Sequence, residues 1–268
     1  MTSVGRAARA FPSMLRIGVA EMVAYRSELV IWFLTASLPI VMLLVWDRVS
    51  EGVTIGGYDQ AAFARYFTCT LIVRHLSTSW VVWELNESIR TGRMSAALLR
   101  PMSPLVFHAA ENLAAFPFRL IVLVPLVALI AWWRPEMGVG IRATEVPLFV
   151  VSLGLAWFLN FATQVAFGAL AFVWQQSLGL FQVYFGVFAI FSGYLVPVRL
   201  MPDAVAGVLE VLPFRAMLGT PVELAAGRLV GVDALGAVGL QLGWCVVAFG
   251  VSRFAWRRGV RRYEAFGA

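Results

Sequence analysis

Residues 113–133 read LAAFPFRLIVLVPLVALIAWW, an apolar run with one charge, Arg119. A helix crosses the hydrocarbon core of a bilayer with about 20 mainly apolar residues, and this run is that long. Five other stretches share its character: roughly 29–46, 62–83, 147–174, 178–197 and 235–256. The second of the six spans contains Arg74 and His75, and the fourth contains Asn160, Thr163 and Gln164. Composition agrees with the pattern. The 268 residues are 60% hydrophobic and 13% charged, whereas soluble domains hold about 45–50% apolar and about 25% charged residues. The sequence predicts an all-α polytopic membrane protein with six transmembrane helices in one domain.

In such a chain the net charge of +6 is read loop by loop, and it does not point to nucleic acid. All 21 basic residues are arginine. Without lysine there is no P-loop to reach nucleotide phosphates and no Schiff-base chemistry. Cys69 and Cys245 both fall inside apolar segments, which argues against a disulfide framework or a thiolate metal site. His75 and His108 stand far apart with no ligand spacing around them, so no metal is expected. No secretory signal peptide is apparent. The first apolar run begins near Leu29 and is long enough to span.

Cytoplasmic loops are enriched in arginine. With the N-terminus inside, the inner face carries twelve: Arg6, Arg9, Arg16, Arg26, Arg90, Arg93, Arg100, Arg253, Arg257, Arg258, Arg261 and Arg262. The outer face carries seven, set against nine acids. Both termini are therefore expected in the cytoplasm. Three regions lie outside the spans. Residues 1–28 form a cytoplasmic N-terminal segment whose part from 11 to 28 reads as an amphipathic interface helix, with Arg16 and Arg26 at the headgroups and Phe11, Met14 and Leu15 toward lipid. Residues 257–268 form a basic tail beyond the 29–256 transmembrane domain. Residues 198–234 are cut by Pro202, Pro213 and Pro221 into helical pieces too short to span. Within them AVAGVLEVLPF is too apolar to sit free in water, so this outer hairpin is expected to dip back into the membrane.

The main inner loop holds IRTGRMSAALLRPMSP, residues 89–104. On a continuous helix Arg90, Arg93 and Arg100 would fall within an arc of about 80° and make one basic stripe. Gly92 is positioned to break that helix and Pro101 to stop it. Glu84 and Glu87 precede the stripe. The segment reads either as an orientation anchor on lipid headgroups or as a docking helix for a soluble partner.

Polar groups inside the spans carry two readings each. Arg74, with His75 beside it, is either a structural arginine satisfied by carbonyls or an acid, or an anion-attracting residue on a transport path, since lipid exposure at that depth is costly. Asn160 and Gln164, one turn apart, read first as glue between helices and second as a substrate contact. Gly179, Gly186 and Gly193 recur every seven residues, as do Gly236, Gly243 and Gly250, with Gly239 and Gly243 adding a G-x-x-x-G pair. Seven residues fall only about 20° short of two turns, so each set is expected to form a groove for close helix packing.

The 89–104 segment resembles the stretch after the second span in small permeases of the ABC-2-type ATP-binding cassette exporter superfamily, where a Gly, a Leu-rich stretch and an Arg-Pro pair recur. The region 191–228 is similar to a second hallmark of that family: a Ser-Gly turn, an exposed proline, a proline-containing hairpin, an LPF and a later P…G. Here these are Ser192, Gly193, Pro197, Pro202, Leu212, Pro213, Phe214, Pro221 and Gly227. The resemblance implies a permease of the bacterial plasma membrane that works as a dimer, with a second copy or a sister subunit. Separate ATPase subunits would bind ATP and magnesium, and this chain would hold no cofactor. It further implies that Glu84, Glu87, Arg90, Gly92, Arg93, Leu98, Arg100 and Pro101 form the coupling element to the ATPase. Pro197, Pro202, Pro213 and Phe214 would belong to an outer gate, and Arg74, His75, Asn160 and Gln164 to the substrate path. Two other classes compete. A membrane scaffold or assembly protein fits the apolar pattern too. An intramembrane enzyme fits less well, because there is no G-x-S-x setting with a paired histidine for proteolysis and no aspartate cluster for magnesium-diphosphate.

Overall fold

The structure, a computed structural model, describes residues 12–13, 15–16, 37–133, 138–174 and 177–263. The amphipathic helix expected over 11–28 lies outside them apart from those four helical positions, as do the start of the first expected span and the end of the tail. Regular structure among the described residues is helical, with one isolated bridge between Ile55 and Tyr58.

Helix α1 (Ser37–Val49) packs on α2 (Gln60–Ser77). The Asp59 carboxylate starts α2 by accepting from the Ala62 amide at 2.7 Å, which satisfies one of the unpaired N–H groups of a first turn. The two helices are held by rings. Trp46 stacks on Phe63 with centroids 4.6 Å apart, and Tyr58 and Tyr66 close the cluster, all but Trp46 wholly buried. Helix α2 ends at Ser77, and α3 (Val81–Arg90) resumes after a three-residue break. The second expected span is thus a broken helix, and Arg74 lies in the last turn before the break instead of mid-span.

At Gly92 the chain turns through φ +75°, a region open to glycine, and the short α4 (Arg93–Leu98) follows. This corrects the single basic stripe. Arg90 ends one helix and Arg93 begins another, so the arc computed for a continuous helix does not exist. Pro104 opens α5 (Pro104–Ala114), which leads into α6 (Phe116–Trp133); a proline suits a first turn because its missing N–H is not needed there.

Helix α7 (Val146–Ala169) is central and packs on α2, α3 and α11 (Gly231–Val260) as well as α8 (Ser177–Phe191) and α10 (Thr220–Ala225). Helices α7 and α11 run antiparallel. Gly231 meets Glu145 at one end, Gln241 bonds Ser152 in the middle, and Gly259 lies against Ala169 at the other. Gln241 is fully buried and fully used: it accepts from the Ser152 hydroxyl and donates to the carbonyls of Ser152 and Ala216.

Among the described residues three helices are long and apolar enough to cross a membrane: Pro104–Trp133, Ala143–Phe172 and Gly231–Val260. A fourth candidate is a bent pair, α9 (Asp203–Val211) with Arg215–Ala225, inclined by 73°. Leu212 is extended at the bend, as a residue before proline prefers, and a π-helical turn over Arg215–Gly219 follows Pro213. Helix α8 is apolar but spans only 15 residues. Large side chains such as Ile121, Val124, Trp132, Val246 and Phe254 are exposed on α6 and α11. That surface suits hydrocarbon and not water.

Apart from Gly193, the glycines expected to form packing grooves lie on open faces of this chain. A methyl group placed on Gly179, Gly186, Gly236, Gly239, Gly243 or Gly250 would meet nothing within 4 Å, so no described part of this chain packs on them. Their period puts them on the open outer faces of α8 and α11. Only Gly193 is closely approached, by the Tyr66 hydroxyl, with φ +90°.

Candidate functional site

The break in the second span exposes backbone that a helix would have satisfied, and the neighbouring helices repair it. Arg119 of α6 donates from Nη1 to the Thr78 carbonyl at 2.8 Å and to that of Leu76 at 3.4 Å. Gln164 of α7 donates to the Ser79 carbonyl at 2.8 Å and accepts from the Val82 amide at 3.4 Å. Asn112 donates to the Ser79 hydroxyl and accepts from the Trp157 indole at 2.8 Å. Non-helical backbone at membrane depth is tolerated only where protein groups satisfy it in this way.

Beside the break lies a cavity of about 410 Å³. Its lining mixes polar groups, among them Arg74, His75, Thr78, Asn160, Gln164 and Gln182, with Trp80, Trp83 and the rings of α8, Phe181, Tyr184, Phe185 and Phe188. The four residues proposed from the sequence for a substrate path, Arg74, His75, Asn160 and Gln164, therefore all line this one cavity. Asn160 also ties α7 to the π turn by donating to the Met217 carbonyl at 3.2 Å. Arg74 Nη1 donates to Thr78 Oγ1 at 2.9 Å, and its guanidinium lies 5.5 Å from the Phe185 ring centre and 5.7 Å from that of Tyr194. The described wall holds no carboxylate and no thiol. A guanidinium, amides and ring faces are groups that bind and orient a guest.

Sequence reasoning missed Arg119, Asn112 and Ser79. The signal for Arg119 was present, since it is the one charge in residues 113–133. It is 2% exposed, so it reaches inward to the break and not to the surface.

The residues expected from the resemblance to form a coupling element cluster on the elbow of α3 and α4. Glu84, Glu87, Arg90, Arg93, Arg100 and Pro101 are exposed, and Glu87 pairs with Arg93 at 2.7 Å. Leu98 and the buried Met94 anchor α4 to a cluster shared with Phe161, Val165 and Trp256. Glu84 reaches His108 at 3.1 Å, and Glu111 reaches the same ring nitrogen at 3.0 Å, an ion-paired trio that the sequence spacing had hidden. A cation is geometrically possible there, because the three ligand atoms lie within 4.8 Å of one another.

Of the outer residues, Pro197 is buried next to a turn at Val198–Leu200, Pro202 precedes α9, and Pro213 sits at the bend. Phe214 touches both Tyr184 and Phe191, with centroids 6.1 and 6.3 Å away, which connects the bent pair to the cavity wall. Within the bent pair Arg215 and Glu223 form a buried ion pair at 2.7 Å.

A comparison with curated protein sequences finds no match. A family model described as ABC-2 family transporter protein matches residues 30–267, nearly the whole chain. An aromatic-walled cavity beside a repaired helix break, apolar outer faces and this match together make the molecule a membrane-embedded transport component, and the chain belongs to the ABC-2 family of transporter proteins.

Proposed function

We propose that the chain is the permease subunit of an ATP-driven exporter, with six spans and both termini at the cytoplasmic face, paired with a second permease and two separate ATPase subunits. The observation that carries this is the physical path from an exposed elbow to a cavity. Helix α3 lies so close to α7 that a methyl on Gly168 would come within 2.9 Å of the Leu85 side chain. The Val82–Gln164 bond joins the same two helices at the cavity wall. A partner pressing on the α3–α4 elbow would move the groups that hold the break, and with them Arg74 and Thr78. The cavity would be the cargo site, and the α9–α10 bend would close it from the outer side through Phe214. The family membership supports a transport role, and a chain without lysine offers no P-loop lysine, which supports a motor on a separate subunit.

The test is purification of the permease alone and with its ATPase subunits. The expected outcome is no ATP turnover by the pure chain and robust turnover by the complex. Turnover by the chain alone, or a chain that never associates with an ATPase, would overturn the reading and favour a scaffold.

A further inference from the structure

We propose that the cavity beside the helix break receives an amphipathic organic anion, with its charged group on Arg74 and its apolar body among the rings of α8. The inference rests on the reading of this cavity as the cargo site and adds the chemical class of the cargo.

Three other features of the fold offer less to a ligand. The Glu84–His108–Glu111 trio is already satisfied as an ion pair. The arginines at the end of α11 line an open surface groove, as expected of a solvated basic helix end. The open glycine faces carry no ligand-directed group.

Three arginines inside the fold are satisfied in different ways. Arg215 has a carboxylate, Glu223. Arg119 has backbone carbonyls. Among the described residues Arg74 has one hydrogen bond, to the neutral Thr78 hydroxyl, and two ring faces. A guanidinium carries five N–H donors in a planar fork. Ring faces attract its charge but accept none of those protons in the plane of the fork, so its edge keeps unused donors. That edge borders the cavity, whose described wall has no acid to pair with it. An uncompensated cation in a poorly solvated site is costly, and a carboxylate, sulfonate or phosphate on the guest removes that cost through bidentate hydrogen bonds. A cationic guest would add to it.

The remainder of the wall selects the rest of the molecule. Phe181, Phe185 and Phe188 with Trp83 offer ring surface, while Asn160, Thr163 and Gln182 add neutral polar contacts near the charged end. The cavity volume of about 410 Å³ falls in the range of about 300–1,000 Å³ typical of sites for one drug-sized molecule.

The experiment uses the full chain, purified in detergent, and three pyrene probes of one shape: 4-(1-pyrenyl)butyrate, its neutral amide and the matching trimethylammonium. Energy transfer from tryptophan to pyrene reads binding, and an unrelated tryptophan-containing membrane protein in the same detergent sets the background from partition into the micelle. The carboxylate should bind at least about tenfold more tightly than the amide, the magnitude expected for hydrogen bonds to a charged group, with the ammonium weakest. Arg74→Gln should reduce the carboxylate to the level of the amide and leave the amide unchanged, while Arg74→Lys should keep the preference. Equal binding of the three probes to the wild-type chain, or preference for the ammonium, overturns the proposal without any variant having to fold. Because no ATPase is present, that failure would leave the exporter reading standing. Anion-selective binding by a chain that never pairs with an ATPase would instead sink the exporter reading and keep this one.

Discussion

Arg74 and Arg119 both reach Thr78, and they do different work there. Arg119 is buried and caps the carbonyls of Thr78 and Leu76; Arg74 bonds only the hydroxyl and otherwise faces the cavity. Removing a partner from a buried backbone group costs about 1–3 kcal/mol for each group left unpaired. Arg119→Leu and Gln164→Leu each strand two such groups at the break. Both variants should lower the thermal unfolding midpoint of the solubilised protein clearly. Arg74→Gln forfeits one hydrogen bond and two ring contacts at a half-buried position but strands no backbone group, and it should melt nearer to the wild type than either of them. Tryptophan fluorescence on heating measures the contrast. If Arg74→Gln proves as damaging as Arg119→Leu, Arg74 is a structural residue and the division of labour fails.

The α3–α4 elbow shows what one glycine does at the scale of an element. Gly92 turns a sequence that counts as one basic stripe into two helices, and its left-handed φ is the physical reason the periodicity argument failed. The stop before Pro101, the broken outer hairpin and the apolar spans 113–133, 147–174 and 235–256 were legible, because proline chemistry and long hydrophobic runs act locally. The break at Thr78–Trp80 was not, since no proline or glycine marks it and its cause is distant: Arg119 and Gln164 supply hydrogen bonds that a continuous helix would not need. The cavity wall was half legible. Arg74, His75, Asn160 and Gln164 stood out as polar residues in apolar runs, whereas the rings of α8 looked like any lipid-facing surface. For the elbow itself, Arg90 is exposed and Arg93 is tied to Glu87 at 2.7 Å. Reversing both to glutamate replaces two cationic contacts by repulsion, and exposed pairs are worth about 0.2–1 kcal/mol each. The double variant should therefore co-purify with markedly less ATPase from membranes where its insertion has been verified, while either single variant changes little. Undiminished co-purification would mean that the arginines serve only to orient the chain.

At the scale of the whole molecule a set of polar groups is buried between the helices while large apolar side chains cover the outer faces of the long ones. Gln241, Ser152, Asn160, Gln164 and the Arg215–Glu223 pair are buried, and Val246, Phe254, Trp132 and Val124 are exposed. Such an arrangement is stable only where the surroundings are hydrocarbon. It also gives exposure a different meaning at each point of the surface, and helix α9 is where the difference can be measured. Val205, Val208 and Val211 are all exposed, Leu209 faces the protein, and the Trp244 indole donates to the Val211 carbonyl at 2.8 Å, holding the end of α9 against α11. Three valines on one open face of a short helix next to a membrane-length helix belong in the lipid boundary. Asp233, exposed in the first turn of α11, belongs in water. Single cysteines at Val205 and Val208 should accordingly react slowly with a membrane-impermeant maleimide in intact membranes, and one at Asp233 should react fast. Detergent should bring the three rates together, because the same positions are equally open once lipid is gone. Fast labelling at Val205 and Val208 before detergent would place α9 in solvent and remove it as the outer cover of the cavity.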